Sequence, residues 1–182
     1  RATCNLISAG VRLSRSSGTT RSPHSTVSPA GSLKRHSAGS KRAWTCGRAI
    51  DADVIVLGDR LWLYYATRDP AMKVQMLGVA SALLASEFGA AAWPQHGDGP
   101  ILRPERPWEQ DCIEAPALCR HGERLFLFYG QAYNNAPQQI GVAVRDDGLT
   151  WTRLGDDPLV PNGPPGSWNA SESGHPFVFV DD

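Results

Sequence analysis

The chain has 182 residues, of which 41% are hydrophobic and 20% are charged, and its formal net charge is zero. This composition is that of a soluble globular protein, and the length is enough for one ordinary domain. A membrane-spanning helix is excluded, because the most apolar stretch, 76–93, is interrupted by Ser81, Ser86 and Glu87.

The charged residues divide the chain into two parts. Residues 1–50 contain nine Lys or Arg and no acid, whereas residues 51–182 contain the other nine and all 18 acids. Residues 1–45 are rich in Ser and Arg, have no hydrophobic period, and are predicted to be disordered. They could be a transit peptide, a basic arm for nucleic acid, or sequence not native to the domain. We favour the last, because the composition changes abruptly at residue 45.

Residues 46–182 are predicted to be an incomplete domain that repeats a four-stranded unit. With a one-residue gap after "DADVIV", "DADVIVLGDRLWLYY" aligns with "EAPALCRHGERLFLFY", which places Asp51 against Glu114 and Tyr65 against Tyr129. The units lie at about 50–105 and 112–162, and another begins at 173–182. A four-stranded unit repeated at this period is typical of a β-propeller blade. We therefore predict an all-β partial β-propeller with four-stranded antiparallel blades.

Each complete unit carries an acid at the start of its first strand, namely Asp51 and Glu114. The first strands of propeller blades line the central channel, so these carboxylates are expected to share one cavity. Glycosidic hydrolysis needs such a set, because one carboxyl group must protonate the leaving oxygen while another activates water. The alternating aromatic residues of the second strands, namely Trp62, Tyr64, Phe126 and Phe128, are predicted to pack between blades.

The motifs "IDADV" at 50–54, "IEAPA" at 113–117 and "SWNASESGHPFVF" at 167–179 resemble the five-bladed propeller glycoside hydrolases of family 43. The same clan includes families 32, 68, 117 and 130. The resemblance implies that Glu114 is the general acid and that Asp51 orients it and tunes its pKa. It also implies inverting hydrolysis of arabinofuranosides or xylosides without an organic cofactor, and a calcium ion that His175 could reach indirectly.

The sequence departs from this family in two respects. The family's catalytic base is an Asp in the preceding blade, and residues 1–50 contain no Asp. Five blades would also need roughly 300 residues, so we expect the chain to be a fragment and, alone, an incomplete enzyme. The alternative is a carbohydrate-binding propeller without catalysis. Carbohydrate is the expected partner, with no nucleic acid or membrane, although residues 1–45 leave open a basic-tailed interaction protein.

Further candidate residues have an ordinary structural explanation beside the functional one. Asp53 could share the cavity or be a solvated strand end, and Trp168 could stack on a sugar or pack on a blade. Tyr133 and Asn134 could bind sugar hydroxyls or belong to a plain hairpin loop.

Less central residues are interpreted as structural: Glu109 and Asp111 as surface charges, "TRDP" at 67–70 as a turn, and Cys112 and Cys119 as buried free thiols. No signal peptide is predicted, and the compartment stays open.

Overall fold

A computed structural model describes residues 43–131, 137–145 and 149–181. Its strands form two antiparallel sheets. The first sheet has the order β1 (Ile50–Leu57), β2 (Arg60–Arg68), β3 (Gln75–Leu83). The second has the order β4 (Ile113–His121), β5 (Arg124–Gln131), β6 (Ile140–Arg145), β7 (Thr152–Arg153). Two short 3₁₀ turns, Ala90–Ala92 and Pro107–Glu109, are the helical elements of the described part.

Each sheet begins with a hairpin closed by two residues, the first of which is glycine. Gly58 and Gly122 adopt φ of 62° and 60°. A glycine with positive φ at this position gives a turn whose twist matches that of the two strands. Leu57 consequently pairs with Arg60, and His121 pairs with Arg124. The predicted turns at these glycines are confirmed.

The first unit has three strands instead of the predicted four. Its last segment contacts β3 only through isolated bridges, between Gln95 and Ala80 and between Leu102 and Leu77. Pro94 accepts a hydrogen bond from the Ser81 N–H at 3.3 Å but has no N–H of its own to return. A continuous fourth ladder therefore does not form there. The second unit does have four strands.

The hydrophobic core lies between the two sheets, with Tyr64, Leu77 and Val79 from the first and Leu127 and Tyr129 from the second. A smaller cluster on the other face of the second sheet includes Phe128 and Val142, with Val178 packed against it. The predicted burial of the alternating aromatic residues is confirmed for Tyr64, between the two sheets, and for Phe128, on the other face of the second sheet, whereas Trp62 and Phe126 are only half-buried. The sheets thus pack face to face as adjacent blades.

The prediction that Glu109 is a surface charge is wrong, because its side chain is fully buried. Arg153 donates to it from Nε at 2.7 Å and from Nη2 at 2.9 Å, and the Tyr129 hydroxyl donates to it at 2.7 Å. The backbone N–H groups of Glu105 and Arg106 donate to its Oε2. A buried carboxylate is tolerated here because every oxygen has charged or polar donors.

Other sequence predictions have mixed outcomes. The "TRDP" turn is confirmed, since Asp69 Oδ1 accepts the backbone N–H groups of Lys73 and Val74 at 2.7 and 2.9 Å. Cys112 is a buried free thiol as predicted, whereas Cys119 is a free thiol that is only half-buried. The segment 1–42 lies outside the described residues. Within the described part, no helix has the length and apolarity needed to cross a membrane.

Candidate active site

A cavity of about 500 Å³ opens where the first strands of the two sheets begin. Asp51 comes from β1, Glu114 comes from β4, and His175 comes from the segment that follows the second sheet. The sequence prediction that Asp51 and Glu114 face one cavity agrees with this arrangement. The other lining residues are Arg48, Ile50, Arg68, Met72, Lys73 and Gln75.

Glu114 is the buried acid of this cavity, with 7% of its surface exposed. The Gln75 side chain donates a hydrogen bond to its Oε2, and His175 Nε2 lies 3.8 Å from its Oε1. Burial has the largest effect on the pKa of Glu114 and raises it. The charge of Asp51 raises it further, while His175 and the hydrogen bonds from Gln75 and Cys112 oppose the rise without cancelling it. The pKa of Glu114 is therefore above its usual value.

A β-bulge at the start of each first strand orients these side chains. The pairing of β1 with β2 shifts between Ile50 and Asp53, and that of β4 with β5 shifts between Glu114 and Ala117. Within each bulge one residue is left-handed, with φ of 48° at both Asp51 and Ala115. An extra residue in one strand turns the following side chains relative to the ladder, and bulges are frequent next to active sites.

The two acids are not equivalent in register, which corrects the sequence alignment. Tyr65 and Tyr129 occupy the same place in their sheets, so the left-handed Asp51 corresponds to Ala115 and Glu114 stands one residue earlier. His175 has φ of 51° and corresponds to Ala115 in the sequence alignment. Asp51 is exposed, whereas Glu114 is buried. The cavity thus holds two carboxylates in different environments.

Gln75 is a site residue that the sequence analysis missed. It begins β3 with 1% of its surface exposed, and its backbone N–H donates to the Asp111 carbonyl at 2.9 Å. Its side-chain Oε1 accepts from Arg68 Nε at 3.0 Å while its Nε2 donates to Glu114. Arg68 therefore fixes the Gln75 amide group, which in turn orients the Glu114 carboxyl group. A polar residue at the head of a mostly apolar strand, "QMLGVASAL", was the available signal.

Asp53 has neither of the two roles considered for it. Its Oδ2 accepts the Leu118 N–H of the neighbouring sheet at 2.7 Å, and its Oδ1 accepts the Val54 N–H at 2.8 Å. It is half-buried and is absent from the cavity lining. The bulge accounts for this, because Asp53 no longer faces the same way as Asp51. Asp53 joins the two sheets.

The remaining candidates lie apart from the cavity or outside the described residues. Trp168 is 90% exposed, which does not fit packing against a blade, and it is not among the residues that line the cavity. Tyr133 and Asn134 lie outside the described residues.

Calcium beside His175 remains a prediction. Calcium binds six to eight oxygen ligands. The described part of the chain contains no group of three or more His, Cys, Asp or Glu side chains that could hold a metal. The cavity wall near His175 also carries Arg48, Arg68 and Lys73, which repel a cation. These side chains do not by themselves form a calcium site.

Solved structures with a similar fold are glycoside hydrolases. An α-L-arabinofuranosidase from Lactobacillus brevis is 23% identical over 65% of this chain, with a TM-score of 0.51. A family 117 glycoside hydrolase from the marine bacterium Zobellia galactanivorans is 19% identical over 75% of this chain, with a TM-score of 0.57. Another glycoside hydrolase is 15% identical over 79% of this chain, with a TM-score of 0.58.

The fold is that of the β-propeller glycoside hydrolases. This confirms the all-β partial propeller predicted from the repeat. The chain spans 37%, 45% and 46% of the lengths of these three proteins. No family model and no curated protein matches the sequence.

Proposed function

We propose that this chain carries the general acid of a glycosidase that hydrolyses O-glycosidic bonds of the arabinofuranoside or xyloside class. The observation that supports this most strongly is a buried carboxyl group, Glu114, in a cavity of a glycoside hydrolase fold. Its raised pKa keeps a larger fraction of it protonated near neutral pH, which a general acid requires. One of the similar structures is named as an α-L-arabinofuranosidase, which is consistent with this substrate class.

In the proposed reaction Glu114 donates its proton to the leaving glycosidic oxygen as the bond to the anomeric carbon breaks. Gln75 holds the carboxyl group in position, and the negative charge of Asp51 favours its protonated form. A water molecule attacks the opposite face of the sugar with inversion and loses its proton to a base. That base is not assigned, because Asp51 and Glu114 are the acids among the described residues that line the cavity.

The test is hydrolysis of 4-nitrophenyl α-L-arabinofuranoside and β-D-xyloside by the chain and its Glu114→Gln variant. General acid catalysis contributes about 10²- to 10⁴-fold, so the variant should lose about that factor while retaining its sugar affinity. Glu123→Gln is the matched control, because Glu123 has 96% of its side chain exposed. A measurable rate of hydrolysis that is equal for Glu114→Gln and the unchanged chain would refute the assignment.

The second candidate function is carbohydrate binding without hydrolysis. The specific observation in its favour is that the described cavity wall provides two acids, one proposed as the proton donor and the other as its modulator. Binding of arabinose or xylose, measured by saturation-transfer NMR, with no release of nitrophenol from either substrate would favour this candidate. Release of nitrophenol that depends on Glu114 would exclude it.

A further inference from the structure

Three side chains form a hydrogen-bonded row that ends at the candidate acid. Arg68 and Gln75 are cross-strand partners at the end of β2 and the start of β3, so their side chains lie on the same face of the sheet. Arg68 Nε donates to Gln75 Oε1 at 3.0 Å, and Gln75 Nε2 donates to Glu114 Oε2. The Gln75 backbone N–H donates to the Asp111 carbonyl at 2.9 Å, which keeps the start of β3 beside the segment that leads to Glu114.

The direction of the Gln75 amide group follows from the chemistry of Arg68. A guanidinium group has only donors, whereas an amide has an accepting oxygen at one end and a donating NH₂ group at the other. Arg68 therefore holds the amide oxygen, and the NH₂ group has to face Glu114. Only 1% of the Gln75 surface is exposed, so water hardly competes for either end of the amide.

This direction of the amide distinguishes the two oxygens of a protonated Glu114. A proton on Oε2 would place an O–H donor against the N–H donor of Gln75 in a buried position, which is costly. A proton on Oε1 leaves Oε2 as the carbonyl oxygen that accepts from Gln75. Oε1 lies 3.8 Å from Nε2 of His175, which is too far for a hydrogen bond, and the His175 side chain is 53% exposed. Oε1 is therefore on the open side of the carboxyl group.

The remaining neighbours of Glu114 do not compete with this amide as hydrogen-bond partners. After burial, the charges of His175 and Asp51 affect the pKa of Glu114 most, lowering and raising it respectively. The Cys112 thiol also forms a hydrogen bond with Glu114, but a thiol is a weak donor and a weak acceptor. Among the described residues, the Gln75 amide is thus the strongest hydrogen-bond donor to this carboxyl group.

We propose that Arg68 and Gln75 are positioning residues that place the proton of Glu114 on Oε1, the oxygen on the open side of the cavity. The catalytic meaning of this placement rests on the proposed function, because a general acid can deliver only a proton that faces the leaving oxygen. A proton on Oε2 would point at Gln75 and could reach a substrate only after the carboxyl group had rotated.

The test is the infrared carbonyl band of protonated Glu114 in pH-difference spectra of the full chain. The band is identified by its absence from the spectra of Glu114→Gln. A carbonyl that accepts a hydrogen bond absorbs at lower wavenumber than a free one, so Gln75→Met, which removes the donor, should move the band to higher wavenumber. Gln75→Met should also lower the ratio of ionised to protonated Glu114 about tenfold at a given pH, as the loss of one hydrogen bond to a charged group does.

Variants of Arg68 test whether it sets the direction of the amide. Arg68→Met should move the band in the same direction although Gln75 is still present, because the amide can then turn its oxygen towards Glu114. Arg68→Lys keeps both a donor and the charge, and it should leave the band near its original position. Lys73→Gln is the matched control for the lost charge, because it removes a cation from the cavity wall and leaves the hydrogen bond between Arg68 and Gln75 in place.

The proposal is overturned if Gln75→Met leaves the band in place, since Oε2 is then not the carbonyl oxygen that accepts from the amide. The role of Arg68 is overturned if Arg68→Met does not move the band, or if Lys73→Gln moves it as far. The infrared measurement needs no turnover, so it is independent of the hydrolysis test. A shifted band without hydrolysis would remove the proposed function and keep the proton placement, whereas Glu114-dependent hydrolysis with an unmoved band would refute the inference alone.

Discussion

Replacing Glu109 by Gln should destabilise the fold by about 3–5 kcal/mol, the typical cost of removing one partner of a buried ion pair. Oε1 accepts from Arg153 and Tyr129, while Oε2 accepts from Arg153 and from the N–H groups of Glu105 and Arg106. An amide places an NH₂ group where one of these oxygens was. In either orientation at least one N–H donor then faces another donor, and each unsatisfied buried group costs about 1–3 kcal/mol.

Urea denaturation at pH 7, followed by tryptophan fluorescence, measures this loss, which is large against the roughly 5–15 kcal/mol stability of a domain. Glu123→Gln, at an exposed pair with Arg120, should change stability by less than about 0.5 kcal/mol.

Burial raises the pKa of Glu109, but the hydrogen bonds from Arg153, Tyr129 and the backbone outweigh it, and the net shift is downward.

The stabilisation from Glu109 should consequently be complete above the ordinary carboxyl pKa and disappear as the pH falls through the lowered value. An unfolding free energy for Glu109→Gln within 1 kcal/mol of the unchanged chain at pH 7 would refute this reasoning.

Three further predictions concern other parts of the fold. Because the pKa of Glu114 is raised in the folded chain, ionisation of this carboxyl group lowers the free energy of unfolding as the pH rises. The Glu114→Gln variant cannot ionise there, so it should gain stability relative to the unchanged chain between pH 4 and 7. Urea midpoints of the two proteins that change in parallel with pH would contradict this. Asp53→Ala should cost about 1–2 kcal/mol in urea unfolding, since it leaves the Leu118 N–H without its acceptor, and a loss below 0.3 kcal/mol would exclude the bridging role. Gly141→Ala should lower the free energy of unfolding by about 1–3 kcal/mol, because a Cβ would collide with the Tyr129 ring. A Cβ at Gly99 meets no atom within 4 Å, so Gly99→Ala should be nearly neutral. Thermal unfolding of both variants measures the difference.

The sequence repeat predicted the strands well because period-2 alternation and turn glycines are local signals. Gly58 and Gly122 fix the hairpins, and the aromatic residues between them and the next turn fix which face is buried. The first unit lacks a fourth strand because Pro94 has no N–H to donate to β3. Proline prevents pairing only where its N–H would have faced the neighbouring strand. That dependence cannot be read from the segment alone.

The site was predicted only in part, because its geometry depends on contacts between sheets. Glu114 and Asp51 were found through their position at strand heads, but the alignment paired them only by a one-residue gap within the first strand, and the pairing registers of the two sheets contain no such gap. Glu109 looked like a loop charge because its partner, Arg153, is far away in sequence. Gln75 was missed because its role appears only when β3 lies beside Glu114.

The left-handed residues at the strand heads restrict which amino acids can stand there. Asp51, Ala115 and His175 have φ between 48° and 51°, a conformation that Asp, Asn and His adopt more readily than other non-glycine residues and that β-branched residues strongly disfavour. Replacing any of these residues by Val, Ile or Thr is therefore expected to strain the backbone. The proposed proton donor avoids this restriction, because Glu114 stands one residue earlier, where φ is negative and a longer acid is admitted.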